Sequence, residues 1–294
     1  MGKELMESSE FCRKLAEKAD KIMDGKFTDI CLQGDQQTLD QTINTQPCLF
    51  VMELMAYTAI VEKGIRPVGV AGFSLGEYAA LAAAGSFDLT VGLDIVMHRA
   101  RYMDEAAKKN PGGMMAVLGL SDGQVIEACN TTEEAWPVNF NCDKQVVVAG
   151  TEIGLKKVEQ ALTEAGGKLK RLAVSGGFHS PLMDQAADQF RDYLEHVNVK
   201  HPEKEIYMNV DADKHAGNVR SFMVAQINSP VLWKNTIENM LVHSYDTFVE
   251  IGPGKTLCGM MRRINKDVRV YNVEDMESLE KTVSEIGVEP WGAQ

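Results

Sequence analysis

The sequence predicts an α/β fold: a parallel sheet flanked by helices, interrupted by a smaller inserted unit of ferredoxin-like βαββαβ order. Three observations predict it. Short apolar runs bounded by Pro or Gly, such as 68–71 between Pro67 and Gly72, read as buried strands. They alternate with stretches of helical periodicity that end on Gly, such as 151–165 before Gly166-Gly167. Within 112–174 the order is strand 114–118, helix 121–129, strands 138–141 and 145–149 across a polar turn, helix 151–165 and strand 168–174. The core is therefore 1–111 together with 175–294, and the insert is 112–174.

The elements of the core follow in order. Residues 1–64 read as helical, with one helix over 3–23. A second opens at Gln46-Pro47, where the missing proline N–H costs nothing, and runs to Glu62. Strand 68–71 leads at once into helix 75–84, stopped by Gly85, and then helix 90–108. After the insert come helix 182–196, strand 206–209, helices 216–227 and 233–243, and strand 247–251. The tail 282–294, with Pro290 and Gly292, reads as loosely structured.

A chain of 294 residues, 45% hydrophobic and 24% charged, can bury a large core without staples. Its net charge of -12 argues against nucleic acid or an anionic membrane as a partner. Two small basic clusters, Lys168/Lys170/Arg171 and Arg262/Arg263/Lys266, read first as solvated faces. The six cysteines show neither CxxC nor Cys/His ligand spacing, so buried free thiols and no metal are expected. The polar N-terminus lacks an apolar leader, and no apolar run reaches the roughly 18 residues needed to span a bilayer. A cytoplasmic protein is expected.

The chemistry centres on Gly72-Phe73-Ser74-Leu75-Gly76, a G-x-S-x-G sequence at a strand-to-helix junction. A nucleophile elbow needs that placement, which makes the core α/β-hydrolase-like. The tight turn crowds its flanking positions, lifts the Ser74 hydroxyl to the end of the sheet, and leaves helix-start N–H groups for developing negative charge. The Leu75 N–H is the natural oxyanion donor. A serine needs a neighbouring base. Of six histidines only His179 lies in a Gly-rich loop between a strand and a helix, in Ser175-Gly176-Gly177-Phe178-His179-Ser180-Pro181. On spacing alone, base and structural roles remain equally open for it.

Five segments in fixed order settle the reading. They are Thr45-Gln46-Pro47, Gly72 to Leu81, the Arg99 helix, Phe178-His179-Ser180, and Glu250-Ile251-Gly252-Pro253-Gly254-Lys255. Together the chain resembles the malonyl-CoA:acyl carrier protein transacylases from residue 1 to about 275. The resemblance implies that Ser74 carries the acyl group and that His179 is its base. A main-chain carbonyl in 225–230, at Gln226, would orient the imidazole in place of an Asp. It also implies that Arg99, 25 residues after Ser74, pairs with the free carboxylate of malonyl. Gln46, Phe73, Met103 and Phe178 would line the acyl site, with Phe178 crowding an α-methyl group. Malonyl-CoA and phosphopantetheinylated acyl carrier protein would be substrates of a ping-pong reaction that uses no cofactor, and the enzyme would be a monomer. A thioesterase using the same elbow and a catalytically silent carrier-binding protein stand as alternatives.

The chain departs from the family at three places. Phe73 replaces a usual His, and Gly177 replaces a commoner Pro or Ala, which implies a looser His179 loop. The family's opening strand and P-G-Q-G-S-Q-like loop have no counterpart before Met1-Gly2-Lys3-Glu4-Leu5. That departure implies an unfilled strand position and one fewer oxyanion N–H.

Overall fold

The structure is a computed structural model that describes residues 2–287. Its strands in chain order are β1 (Gly69–Ala71), β2 (Gly113–Leu118), β3 (Ala135–Cys142), β4 (Gln145–Gly150), β5 (Lys168–Arg171), β6 (Glu205–Tyr207), β7 (Lys214–His215), β8 (Thr247–Ile251) and β9 (Arg269–Val273). The core sheet comes in two parts. β1 runs parallel to β6, which pairs antiparallel with β7, while β8 and β9 form a separate parallel pair.

The insert is antiparallel, with strand order β3-β4-β2-β5. Helices Asp122–Cys129 and Glu152–Glu164 complete the βαββαβ order read from the sequence. Local chemistry accounts for its boundaries. Ser121 and Gln124 form a reciprocal capping box at the first helix, Thr151 caps the second, and Lys144 takes positive φ in the tight turn between β3 and β4. Met115, Val117, Val125, Val148, Leu155 and Leu162 bury a small core of their own there.

The main core lies around helices Thr42–Glu62 and Leu89–Lys109, which pack side by side. Phe50, Met52, Met55, Leu93, Ile95 and Phe190 are almost fully buried within it. Methionine fills much of this interior, in line with its adaptable shape. All six cysteines are buried, and none forms a disulfide among the described residues.

Several boundaries differ from the sequence reading, each for a local reason. The first helix breaks into Lys3–Ser8 and Glu10–Ile22, because Ser9 turns extended and caps the second piece. The helix expected to open at Gln46-Pro47 starts at Thr42, five residues before Pro47, so the proline sits inside it rather than at its first turn. The expected strand 168–174 ends at Arg171. Residues 282–286, expected to be loose, belong to helix Met276–Ile286, whose capping box joins Asp275 and Ser278. The rest of that tail, 288–294, lies outside the described residues. Helix Thr256–Ile264, β7 and β9 were not anticipated.

β1 and β8 each keep one edge unpaired among the described residues, and both border a cavity of about 980 Å³. The two strands point the same way across it. The start of β1, at Gly69, meets the Tyr245 ring just before β8, whereas Gly76 and Gly252, beyond their far ends, both meet Glu53. Glu53 Oε2 is buried there without a hydrogen-bond partner, and burial, aided by the Glu250 charge, raises its carboxyl to about 8.

Candidate active site

Ser74 stands between the end of β1 and helix Gly76–Ala83. Its φ of 51° is in the left-handed region, a strain that a nucleophile elbow characteristically carries. A Cβ at Gly72 would lie 2.0 Å from the Gly76 carbonyl group, so glycine is obligatory there. At Gly76 a Cβ would meet only Glu53, at an ordinary 3.7 Å. The crowding predicted for both flanks therefore holds for one. The Leu75 N–H at the start of the helix finds no acceptor among the described residues and is available to an oxyanion.

The structure brings His179 to the serine. Its Nε2 lies 2.8 Å from Ser74 Oγ, and its Nδ1 lies 2.7 Å from the Gln226 main-chain carbonyl. A carbonyl can only accept, so the proton sits on Nδ1 and Nε2 is free to take the hydroxyl proton. Burial, with the Arg99 charge second, lowers the imidazole to about 4, opposed by the Gln226 carbonyl. The imidazole is thus neutral at neutral pH. Its loop is tied down rather than loose: Ser180 Oγ donates to the Gly177 carbonyl and accepts from the Leu182 N–H. A Cβ at Gly177 would press to 2.7 Å on the Leu182 side chain, so the glycine permits close packing.

Arg99 is 1% exposed, on helix Leu89–Lys109. Its guanidinium donates to Gln46 Oε1, to Gln226 Oε1 at 2.9 Å and to Ser74 Oγ at 3.3 Å, and stacks over the Tyr78 ring at 5.0 Å. Its Nε has no partner, and no carboxylate lies within ion-pairing distance among the described residues. A buried cation held by neutral groups alone is poised for an anionic ligand.

The remaining predicted residues divide. Gln46 holds Arg99 and donates to Met103 Sδ at 3.7 Å, which places both on one wall. Phe178 packs at the seam between the main core and a cluster with Met114, Val138 and Ala149 of the insert. Phe73 goes elsewhere. Its ring packs edge-on against Trp233 at 5.7 Å and borders the cavity between β1 and β8, not the hydrogen-bonded set around Arg99. That cavity is not lined by Ser74, His179 or Arg99.

Sequence reasoning missed two residues of this site. Asn209, in the turn after β6, accepts from the Ser74 N–H at 2.8 Å and donates to the Gly72 carbonyl at 2.6 Å. Glu77 accepts from the Asn209 N–H at 2.6 Å and from Gln226 Nε2 at 3.1 Å. Glu77 lies inside the family-like segment Gly72 to Leu81, where it was given no role, and Asn209 carried no sequence signal.

Residues 1–283 match the family model described as acyl transferase domain. The chain belongs to that family. It is 33% identical over 291 residues to the malonyl CoA-acyl carrier protein transacylase of Bacillus subtilis, covering 96% of this chain and 92% of that one. It is 36% identical over 254 residues to the enzyme of the same name from Haemophilus influenzae, covering 84% and 81%. Among solved structures, the malonyl CoA-acyl carrier protein transacylase of Clostridium perfringens superposes with a TM-score of 0.93 at 32% identity, over 97% and 92% of the two chains. A malonyl-transacylase solved with the acyl-carrier protein of a type II PKS reaches 0.93 at 30% identity, over 97% and 94%. The α/β fold read from the sequence is that of these relatives.

The basic clusters behave as solvated faces in part. Arg171 pairs with Glu152 and Glu159, and Arg263 binds Gln145 and the Asp143 carbonyl. Among the described residues no group of three His, Cys, Asp or Glu side chains is arranged to hold a metal ion, and no helix is long and apolar enough to cross a membrane.

Proposed function

We infer that Ser74 takes malonyl from malonyl-CoA as an ester and passes it to the phosphopantetheine thiol of an acyl carrier protein, in fatty-acid or polyketide synthesis. His179 Nε2 accepts the hydroxyl proton as Ser74 Oγ attacks the thioester carbonyl. The Leu75 N–H receives the oxyanion. Collapse expels the coenzyme A thiolate, which leaves with the proton from His179. In the second half the carrier thiol gives its proton to His179 and attacks the ester, and Ser74 recovers its proton as it departs. Gln226 orients the imidazole through its main-chain carbonyl and Arg99 through its side chain. Arg99 pairs with the malonyl carboxylate, while Gln46, Met103 and Phe178 bound the acyl group. The reaction needs no cofactor.

One observation carries the substrate assignment: a buried guanidinium without a carboxylate partner, 3.3 Å from the nucleophile. The same reading takes 112–174 as a unit inserted in the catalytic core, the cytoplasm as the compartment and a monomer as the working state. Intact-mass spectrometry after mixing with malonyl-CoA tests it. A malonyl adduct that is absent in Ser74→Ala and discharged by carrier protein supports transfer. An adduct lost equally fast without carrier protein would make the protein a thioesterase.

A further inference from the structure

We propose that Asn209 and Glu77 are positioning residues that clamp the nucleophile elbow and couple it to the base. The inference rests on the reading of Ser74 as the nucleophile and concerns what holds it in place.

Both backbone polar groups of Ser74 are gripped by buried side-chain amides. Asn209 Oδ1 accepts from its N–H at 2.8 Å, and Gln226 Nε2 donates to its carbonyl at 2.7 Å. Glu77 joins the two amides, one oxygen accepting from the Asn209 N–H and the other from Gln226 Nε2. All three side chains are fully buried. The Asn209 carbonyl is itself fixed by the Leu232 N–H at 2.9 Å, so the clamp is anchored outside the elbow.

This arrangement answers three needs. Ser74 sits at a φ of 51°, which a non-glycine residue keeps only when its surroundings over-determine it. A second bond from Asn209, to the Gly72 carbonyl, fixes the residue where β1 ends. The clamp also occupies the Ser74 N–H, so the neighbouring Leu75 N–H is the donor left for the oxyanion. Gln226 then carries the link onward, because its main-chain carbonyl holds His179 and its side-chain oxygen holds Arg99. Nucleophile, base and carboxylate-binding cation thus share one buried set of hydrogen bonds. Glu77 must accept on both oxygens. Glutamine there would set an N–H₂ group against one of the two donors.

Rates of Ser74 labelling by a fluorophosphonate, followed beside malonyl transfer, test the clamp. The fluorophosphonate reports on the serine whatever acyl group the enzyme prefers. If the wild-type protein labels at Ser74 but does not transfer malonyl, the substrate reading fails and the clamp remains testable. Asn209→Ala is expected to lower both the labelling rate and kcat by about 10-fold or more, with KM for malonyl-CoA within about twofold, since Asn209 touches neither Arg99 nor His179. Asn209→Asp keeps the acceptor for the Ser74 N–H but sets an oxygen against the Gly72 carbonyl, so it is expected to recover only part of the labelling rate lost in Asn209→Ala. Glu77→Gln is expected to slow labelling as well. If folded Asn209→Ala labels at the wild-type rate, the clamp does not position the serine. Should Asn209→Ala fail to fold, Asn209→Asp and Glu77→Gln carry the test, and wild-type labelling in both would overturn the proposal.

Discussion

Arg99 Nη2 lies 3.3 Å from Ser74 Oγ, so the group that would hold one end of a substrate touches the atom that would attack the other. Malonyl places a carboxylate and a thioester carbonyl on the same carbon, and a fixed cation beside the nucleophile suits that short diacid. Acetyl has no carboxylate and would leave the buried guanidinium unpaired.

Arg99→Ala is expected to lower malonyl transfer by about 10- to 10²-fold, while acetyl transfer changes little or rises. Arg99→Lys should not restore the rate, because a point charge cannot replace a planar fork held by Gln46 and Gln226. Adduct formation with the two acyl-CoAs measures this. An equal fall for both would make Arg99 a structural cation and remove the basis of the substrate assignment.

The acidity of His179 sets the pH range. Burial first, and Arg99 second, depress the imidazole to about 4, so Nε2 is available as a base well below neutrality. The acid limb of kcat/KM for malonyl-CoA is expected near pH 4 rather than near 6.5. In Arg99→Ala the second cause is gone and the limb should move up. The same depression bears on stability: as pH falls from about 6.5 towards 4 the unfolded chain gains this proton and the folded one does not, so stability is lost over that window. An acid limb at 6.5 in the wild-type protein would mean that the imidazole is solvated.

Gly72 and Gly76 flank Ser74 symmetrically in sequence but not in space. Gly72→Ala should abolish labelling or folding, because its Cβ would penetrate the backbone at Gly76. Gly76→Ala meets ordinary contact distance at a helix start, and should fold and retain Ser74 labelling. Thermal melts and fluorophosphonate labelling of both variants check the asymmetry. Loss of folding in both would show that the motif is constrained for another reason.

How much of this was legible follows from whether the signal is local. The elbow was, because a strand running into a helix through Gly72 and Ser74 is contained in a dozen residues. The two helices within 112–174 were legible because each carries its own cap, at Ser121 and Thr151. Arg99 required the family pattern, since an arginine on a long helix ordinarily faces water. Asn209 could not be read at all: it meets Ser74 only because β6 pairs parallel with β1, a contact across 135 residues. Phe73 was misplaced by adjacency, since next to the nucleophile in sequence does not mean the same face in space. β9 and its following helix do carry signals, the β-branched and aromatic Val270, Tyr271 and Val273 and the Asp275/Ser278 box.

Glu53 links the divided sheet to solution behaviour. Its carboxyl faces the cavity between β1 and β8, and burial, followed by the charge of Glu250, raises it to about 8. In the unfolded chain it ionises near 4.5. Folding is therefore unaffected by this group below about pH 4.5, and its contribution is lost as pH rises from there through 8. Glu53→Gln removes that titration while keeping the size of the side chain. The variant is expected to match the wild-type Tm near pH 5 more closely than at pH 8.5, where it should be the more stable of the two. Melts at the two pH values decide the matter: an unchanged difference would mean that Glu53 is solvated through the cavity and ionises normally. The same result would imply that water reaches the unpaired edges of both strands.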